Sequence, residues 1–148
     1  MEQLTFIIHV FSCFFMCGLC WFVQIIHYPL FRDIDPKDFA LYEQKNLRTA
    51  FITGPMMLLE LFTAAYLQYL SPNDPLLWIG SILIFVIWIS TFVIQGPTHL
   101  KLTAGADEKL FKVLIRSNWI RTIGWTIRSL IMIYLLMSVN SCSITGMP

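Results

Sequence analysis

Residues 76–95 read LLWIGSILIFVIWISTFVIQ, and no charged side chain interrupts them. At 1.5 Å per residue, a helix of that length covers about 30 Å, the thickness of a bilayer's hydrocarbon core. Outward from this segment, three more stretches have the same character: Leu4–His27, Thr49–Leu70 and Trp119–Val139. The rest of the composition agrees. Of 148 residues, 57% are hydrophobic and 13% charged, where a soluble domain carries about 25% charged residues. The mean hydropathy is +0.68. These values exclude a soluble enzyme, a disordered tail and a nucleic-acid module, and a net charge of +1 offers no field to attract nucleic acid. The expected fold is all-α: one membrane domain over residues 1–148, an integral membrane four-helix bundle.

The basic residues predict the orientation. Arg32, Lys37, Lys45 and Arg48 lie between the first two spans; Lys101, Lys109, Lys112 and Arg116 lie between the last two. Arg121 and Arg128 enter the fourth span from that same end, which accounts for all ten Lys and Arg. Cytoplasmic loops hold the Lys/Arg excess, so both long loops are expected in the cytoplasm and both termini outside, with a bacterial inner membrane as the expected location. Met1-Glu2-Gln3 lacks the basic start of a signal peptide, and no Ala-x-Ala pattern follows, so the first span is expected to be retained as an anchor.

Local signals place the connections. Ser71–Pro75 is too short for anything but an antiparallel hairpin, and Asp74-Pro75 combines an N-cap with proline at the first helical position. Asp35-Pro36 repeats that signal and predicts a surface helix through about Asn46 in the first long loop. Gly105 breaks the second loop, and Asp107-Glu108 starts a helix that runs into the fourth span. Cys13, Cys17 and Cys20 share one helix and read as small packing residues. Cys142 stands alone on the outer side.

Polar residues within spans are costly and therefore informative. His9, Cys13, Cys17, Cys20, Gln24 and His27 recur at three- to four-residue spacing. So do Thr49, Thr53, Met56, Glu60 and Thr63; Trp88, Thr91, Gln95 and His99; and Asn118, Arg121, Trp125 and Arg128. Each set occupies one helix face, and all four faces are expected to turn inward. Glu60 lies about 16 Å along its helix from Thr49, and Arg128 about 13 Å from Trp119, at similar depth. The reading is a Glu60–Arg128 ion pair, serving either to fix helix register or as an acid–base relay. His27 and His99, each next to a helix-ending proline, are expected at one cytoplasmic mouth with Gln24 and Gln95 one turn deeper. Imidazoles there can bond backbone ends, hold haem iron or shuttle protons. His9 reads as a lone packing residue. Gly54-Pro55 predicts a kink opening space beside Glu60. Trp125, on the polar stripe, is placed to stack on a planar ligand.

Three motifs carry a resemblance. Tyr28-Pro29-Leu30-Phe31 after the first span, Pro55 early in the second and Asn118-Trp119-Ile120-Arg121-Thr122 opening the fourth resemble the anthrone oxygenase-like family. The proline of Gln95-Gly96-Pro97-Thr98-His99 also fits that family; the residues flanking it differ from the family's Asn-x-Pro-x-Asn type. The resemblance implies a compact four-helix membrane fold, with cofactor-independent oxygenation of polycyclic phenols in some members. The layout is distantly similar to small haem-associated four-helix membrane oxidoreductases.

These readings converge on a cytoplasm-facing polar cavity for a planar lipophilic molecule: a quinone, phenol or porphyrin. His27, His99 and Glu60 are the expected proton-moving or catalytic groups. Gln24, Gln95, Asn118, Arg121, Trp125 and Arg128 are the expected ligand contacts. Haem is the one cofactor the pattern suggests. The competing readings are a non-enzymatic accessory or assembly subunit and a small transporter or proton path through Glu60.

Overall fold

The computed structural model describes residues 2–144, with side chains described for residues 2–138; Cys142 falls outside the latter. The chain is all-α. Helix α1 (Glu2–Phe22) continues through a π-helical turn (Val23–His27) into a 3-10 turn (Pro29–Asp33). Helix α2 (Pro36–Asn46) joins α3 (Ala50–Leu70) through a 3-10 turn at Leu47–Thr49. Helix α4 (Pro75–Ser90) passes through a second π-helical turn (Thr91–Gln95) into α5 (Gly96–Leu102), and α6 (Glu108–Ile144) completes the bundle. Four stretches, Glu2–Asp33, Pro36–Leu70, Pro75–Leu102 and Glu108–Ser138, are long and apolar enough to cross a membrane.

The starts follow from their caps. Asp35 accepts from the Lys37 amide at 3.0 Å, Asp74 from Leu76 at 2.8 Å and Asp107 from Lys109 at 2.7 Å. Gly105, at φ +145°, makes the turn before α6 in a backbone region that favours glycine. No proline interrupts α6, so it runs unbroken from the loop into the fourth span.

The prolines act differently from expectation. Neither Pro29 nor Pro97 ends its helix. A proline ring meets the carbonyl four residues back, and both helices relieve this by widening to i→i−5 bonding just before the ring. Tyr28 N–H reaches the Val23 carbonyl at 3.0 Å, and Gly96 N–H reaches Thr91. The third span thus extends to Leu102 rather than stopping at Gln95. Helix α3 runs through Pro55 without a break.

Helices α1 and α4 each pack on both α3 and α6, closing a four-sided bundle. Its outside is apolar: Phe11, Phe51, Phe62, Phe85, Phe92 and Val93 are all exposed. Inside lie two cores. One holds Cys13, Met16, Cys20, Met57, Ile87 and Trp125 at mid-bundle. The other, at the end bearing the two long basic loops, is built on Tyr28, Phe31, Phe39, Leu102, Phe111 and Leu114. There the rings of Phe31, Phe39 and Phe111 stack edge-on or tilted at 5.0–5.7 Å, sealing the bundle floor. The three cysteines of α1 are free thiols.

Candidate functional site

Lipid cannot satisfy a polar side chain, so the polar stripes turn inward and resolve into two separate clusters.

The deeper cluster centres on Glu60 of α3 and Arg128 of α6. Arg128 Nε donates to Glu60 Oε1 at 2.9 Å, and Trp125 Nε1 donates to Glu60 Oε2 at 2.7 Å. Arg128 also donates to the carbonyl of Gly80 on α4 through Nη1 and to His9 Nε2 on α1 through Nη2, the latter at 3.2 Å. An arginine only donates, so His9 Nε2 carries its lone pair and Nδ1 its proton. Nδ1 then donates to Thr63 Oγ1 at 2.8 Å, whose own proton goes to the Leu59 carbonyl at 2.7 Å. His9 is therefore not a lone packing residue: it is 2% exposed and ties α1 to the ion pair. Both carboxylate oxygens of Glu60 are engaged. Glu60 itself does not line the cavity that lies beside Thr53 and Met57.

The second cluster lies nearer the basic loops and starts from a residue the sequence did not single out. Glu43, on α2, is fully buried. Its Oε1 meets His99 Nδ1 at 2.5 Å, and its Oε2 accepts from Asn46 Nδ2 at 3.0 Å. His99 Nε2 meets the Tyr28 hydroxyl at 3.0 Å, and His27 Nε2 meets Asn46 Oδ1 at 3.0 Å. A carboxylate at Glu43 puts the His99 proton on Nδ1, leaving Nε2 to accept from Tyr28. The sequence signal for Glu43 was available in its i, i+3 and i−4 neighbours: Phe39, Glu43 and Asn46 form the buried face of α2. Charge elsewhere on α2 masks it.

Between the clusters lies a cavity of about 260 Å³. His27, Tyr28, Gln95, His99 and Arg121 are among its polar lining; Leu19, Cys20, Val23 and Met57 are among its apolar lining. Arg121 is 91% buried by its 9% exposure, and it packs over the Trp125 ring with its guanidinium carbon 5.4 Å from the ring centroid. Its guanidinium lies within hydrogen-bonding reach of the Tyr28 hydroxyl, and its Nε is buried without a partner. Asn118 Oδ1, one turn earlier on the same face, is likewise buried and unpartnered.

Of the expected catalytic and ligand-contact residues, the cavity gathers His27, His99, Gln95 and Arg121. The others go elsewhere. Glu60, Arg128 and Trp125 belong to the deep network. Gln24 turns to α6, donating to the Ile115 carbonyl at 3.1 Å and accepting from Asn118 Nδ2 at 3.0 Å, a clamp between α1 and α6. Trp125 is covered by Arg121 and presents no face to the cavity lining. Gln95 exchanges hydrogen bonds with Ser90 across the π-turn at 3.0 and 3.2 Å.

Bis-histidine haem ligation does not fit this arrangement. Both nitrogens of His99 are engaged, and His27 Nε2 is held by Asn46. Among the described residues no group of three His, Cys, Asp or Glu side chains is arranged to hold a metal ion.

No protein-family model, curated protein or solved structure matches this chain.

Proposed function

We propose that this chain is an integral membrane protein, both long loops cytoplasmic and both termini outside, in a bacterial inner membrane. Its cavity binds a lipophilic small molecule through that molecule's oxygen atoms and exchanges a proton with it. The observation that carries this reading is Arg121. A buried cation without an acid is destabilising, and Arg121, beside a cavity, has only the Tyr28 hydroxyl and the Trp125 face, with its Nε unpartnered. An oxygen of a bound molecule supplies what it lacks. The proton groups are in place on the same wall: His27, and Tyr28 backed by His99 and Glu43. Phenols and quinones offer the required oxygens, and the resemblance to the anthrone oxygenase-like family makes redox or oxygenase chemistry on a phenol the first activity to assay.

The test is purification in mild detergent followed by mass spectrometry of extracted small molecules, with Arg121→Gln in parallel. A molecule retained by the wild type and lost from a folded Arg121→Gln protein is the expected result. A ligand-free preparation that copurifies with another subunit would instead favour an accessory role. The closed Glu60–Arg128–His9 network fits a lock on helix register more than a proton path.

A further inference from the structure

We propose that the cavity's occupant is a single-tailed amphiphile, its oxyanion head at Arg121 and its apolar tail leaving sideways between α1 and α3 into the bilayer. This rests on the cavity being a ligand site, as argued above, and adds the charge of the ligand, its shape and its route.

The charge follows from how the buried ions are distributed. Among the described residues two arginines are buried, Arg121 and Arg128, and so are two carboxylates, Glu43 and Glu60. Glu60 is taken by Arg128 and Trp125; Glu43 is taken by His99 and Asn46. Arg121 is left with an aromatic face, the neutral Tyr28 hydroxyl and no anion, its Nε unpartnered. A guanidinium presents a planar set of donors that matches an oxyanion.

The shape follows from the rim. The polar wall lies on the inner side of the cavity. On the outer side the lining includes Phe22 on α1, Thr49 just before α3, and Ala50 and Ile52 on α3, all exposed, with Leu19 and Val23 half-buried behind them. Ile25, Ile26 and Phe51 continue this exposed apolar surface on both helices. A mouth set in such a surface faces acyl chains rather than water. A cavity of about 260 Å³ holds a small head; a long tail extends through the mouth, where apolar side chains already stand open.

The test uses oleate, oleyl alcohol and benzoate with the full chain in nanodiscs at mildly alkaline pH. Oleate should bind saturably. Oleyl alcohol has the tail without the charge, and benzoate the charge without the tail. Each should bind more weakly by roughly ten- to a hundredfold, the worth of a hydrogen bond to a charged group or of several buried methylenes. Arg121→Gln should abolish the preference for oleate over oleyl alcohol with the fold intact, because no ion pair is lost and a glutamine amide can still donate to the Tyr28 hydroxyl. Ala50→Trp, which fills the mouth from an exposed position, should weaken oleate binding with the fold intact. Oleyl alcohol binding as tightly as oleate would overturn the assignment of charge. Benzoate competing as well as oleate, in an Arg121-dependent manner, would overturn the tail while leaving the cavity a ligand site. If none of the three binds and no small molecule is extracted from the wild type, the ligand-site reading falls as well.

Discussion

Arg128 of α6 and Glu60 of α3 meet at 2.9 Å with side chains 1% and 3% exposed, and the remaining donors of the arginine reach α4 and α1. All four long helices therefore converge on one guanidinium. Glu60→Ala leaves that charge buried and unpaired, and thermal unfolding in detergent should show a loss of about 3–5 kcal/mol. The double variant Glu60→Leu with Arg128→Met should recover most of it, since apolar residues of similar size can replace a buried pair. A double variant as unstable as Glu60→Ala would show that the pair itself, and not relief of an unpaired charge, holds the bundle.

His9 should prove structural. His9→Phe keeps the ring volume but strands one Arg128 donor and removes the bond to Thr63. A loss of about 1–3 kcal/mol is expected on thermal unfolding, without loss of ligand retention, since His9 does not line the cavity.

Glu43 fixes the tautomer of His99. Nitrogen-15 histidine spectra of the wild type should show His99 protonated at Nδ1. In Glu43→Ala that preference should disappear, and Asn46 loses its acceptor. An unchanged His99 signature would mean that Tyr28 alone orients the ring.

The glycines divide by what surrounds them. A Cβ at Gly18 would meet nothing within 4 Å, whereas one at Gly124 would lie 2.9 Å from Ile87 Cδ1 and one at Gly80 3.1 Å from Arg128 Nη1. Gly18→Ala should raise stability by about 0.5–1 kcal/mol through reduced backbone freedom in the unfolded chain. Gly124→Val and Gly80→Val should lower Tm, the first by separating α4 from α6 and the second by displacing the arginine from its carbonyl.

Orientation is open to direct measurement. In a variant without native cysteines, Lys101→Cys should react with impermeant maleimide only after the cytoplasmic side is opened, and Asn73→Cys in intact cells. The reverse pattern would invert the proposed topology.

Much of this fold is legible in the sequence, because hydropathy and caps act locally. Asp35, Asp74 and Asp107 mark their helix starts without reference to the rest of the chain. The Glu60–Arg128 pair is legible too, since hydrocarbon leaves a deep acid and a deep base few alternatives to each other. The second cluster is not. Glu43 sits on a helix with Lys37, Asp38 and Lys45, where one more charge reads as solvated. Only the tertiary placement of α2 under α5 gives it His99. Depth alone also merged what the structure separates: Gln24, Asn118 and Arg128 share a stripe with the cavity residues, yet point to other helices. A spacing of three to four residues defines a face about 100° wide, too broad to distinguish two adjacent partners.

The π-turn at Thr91–Gln95 has a geometric corollary. Wider winding accommodates one additional residue, so everything beyond it is rotated relative to an ordinary helix. Deleting a single residue there would swing His99 by about 100° around the axis, away from both Glu43 and Tyr28. The bearing of that imidazole is thus set by a residue count one turn upstream.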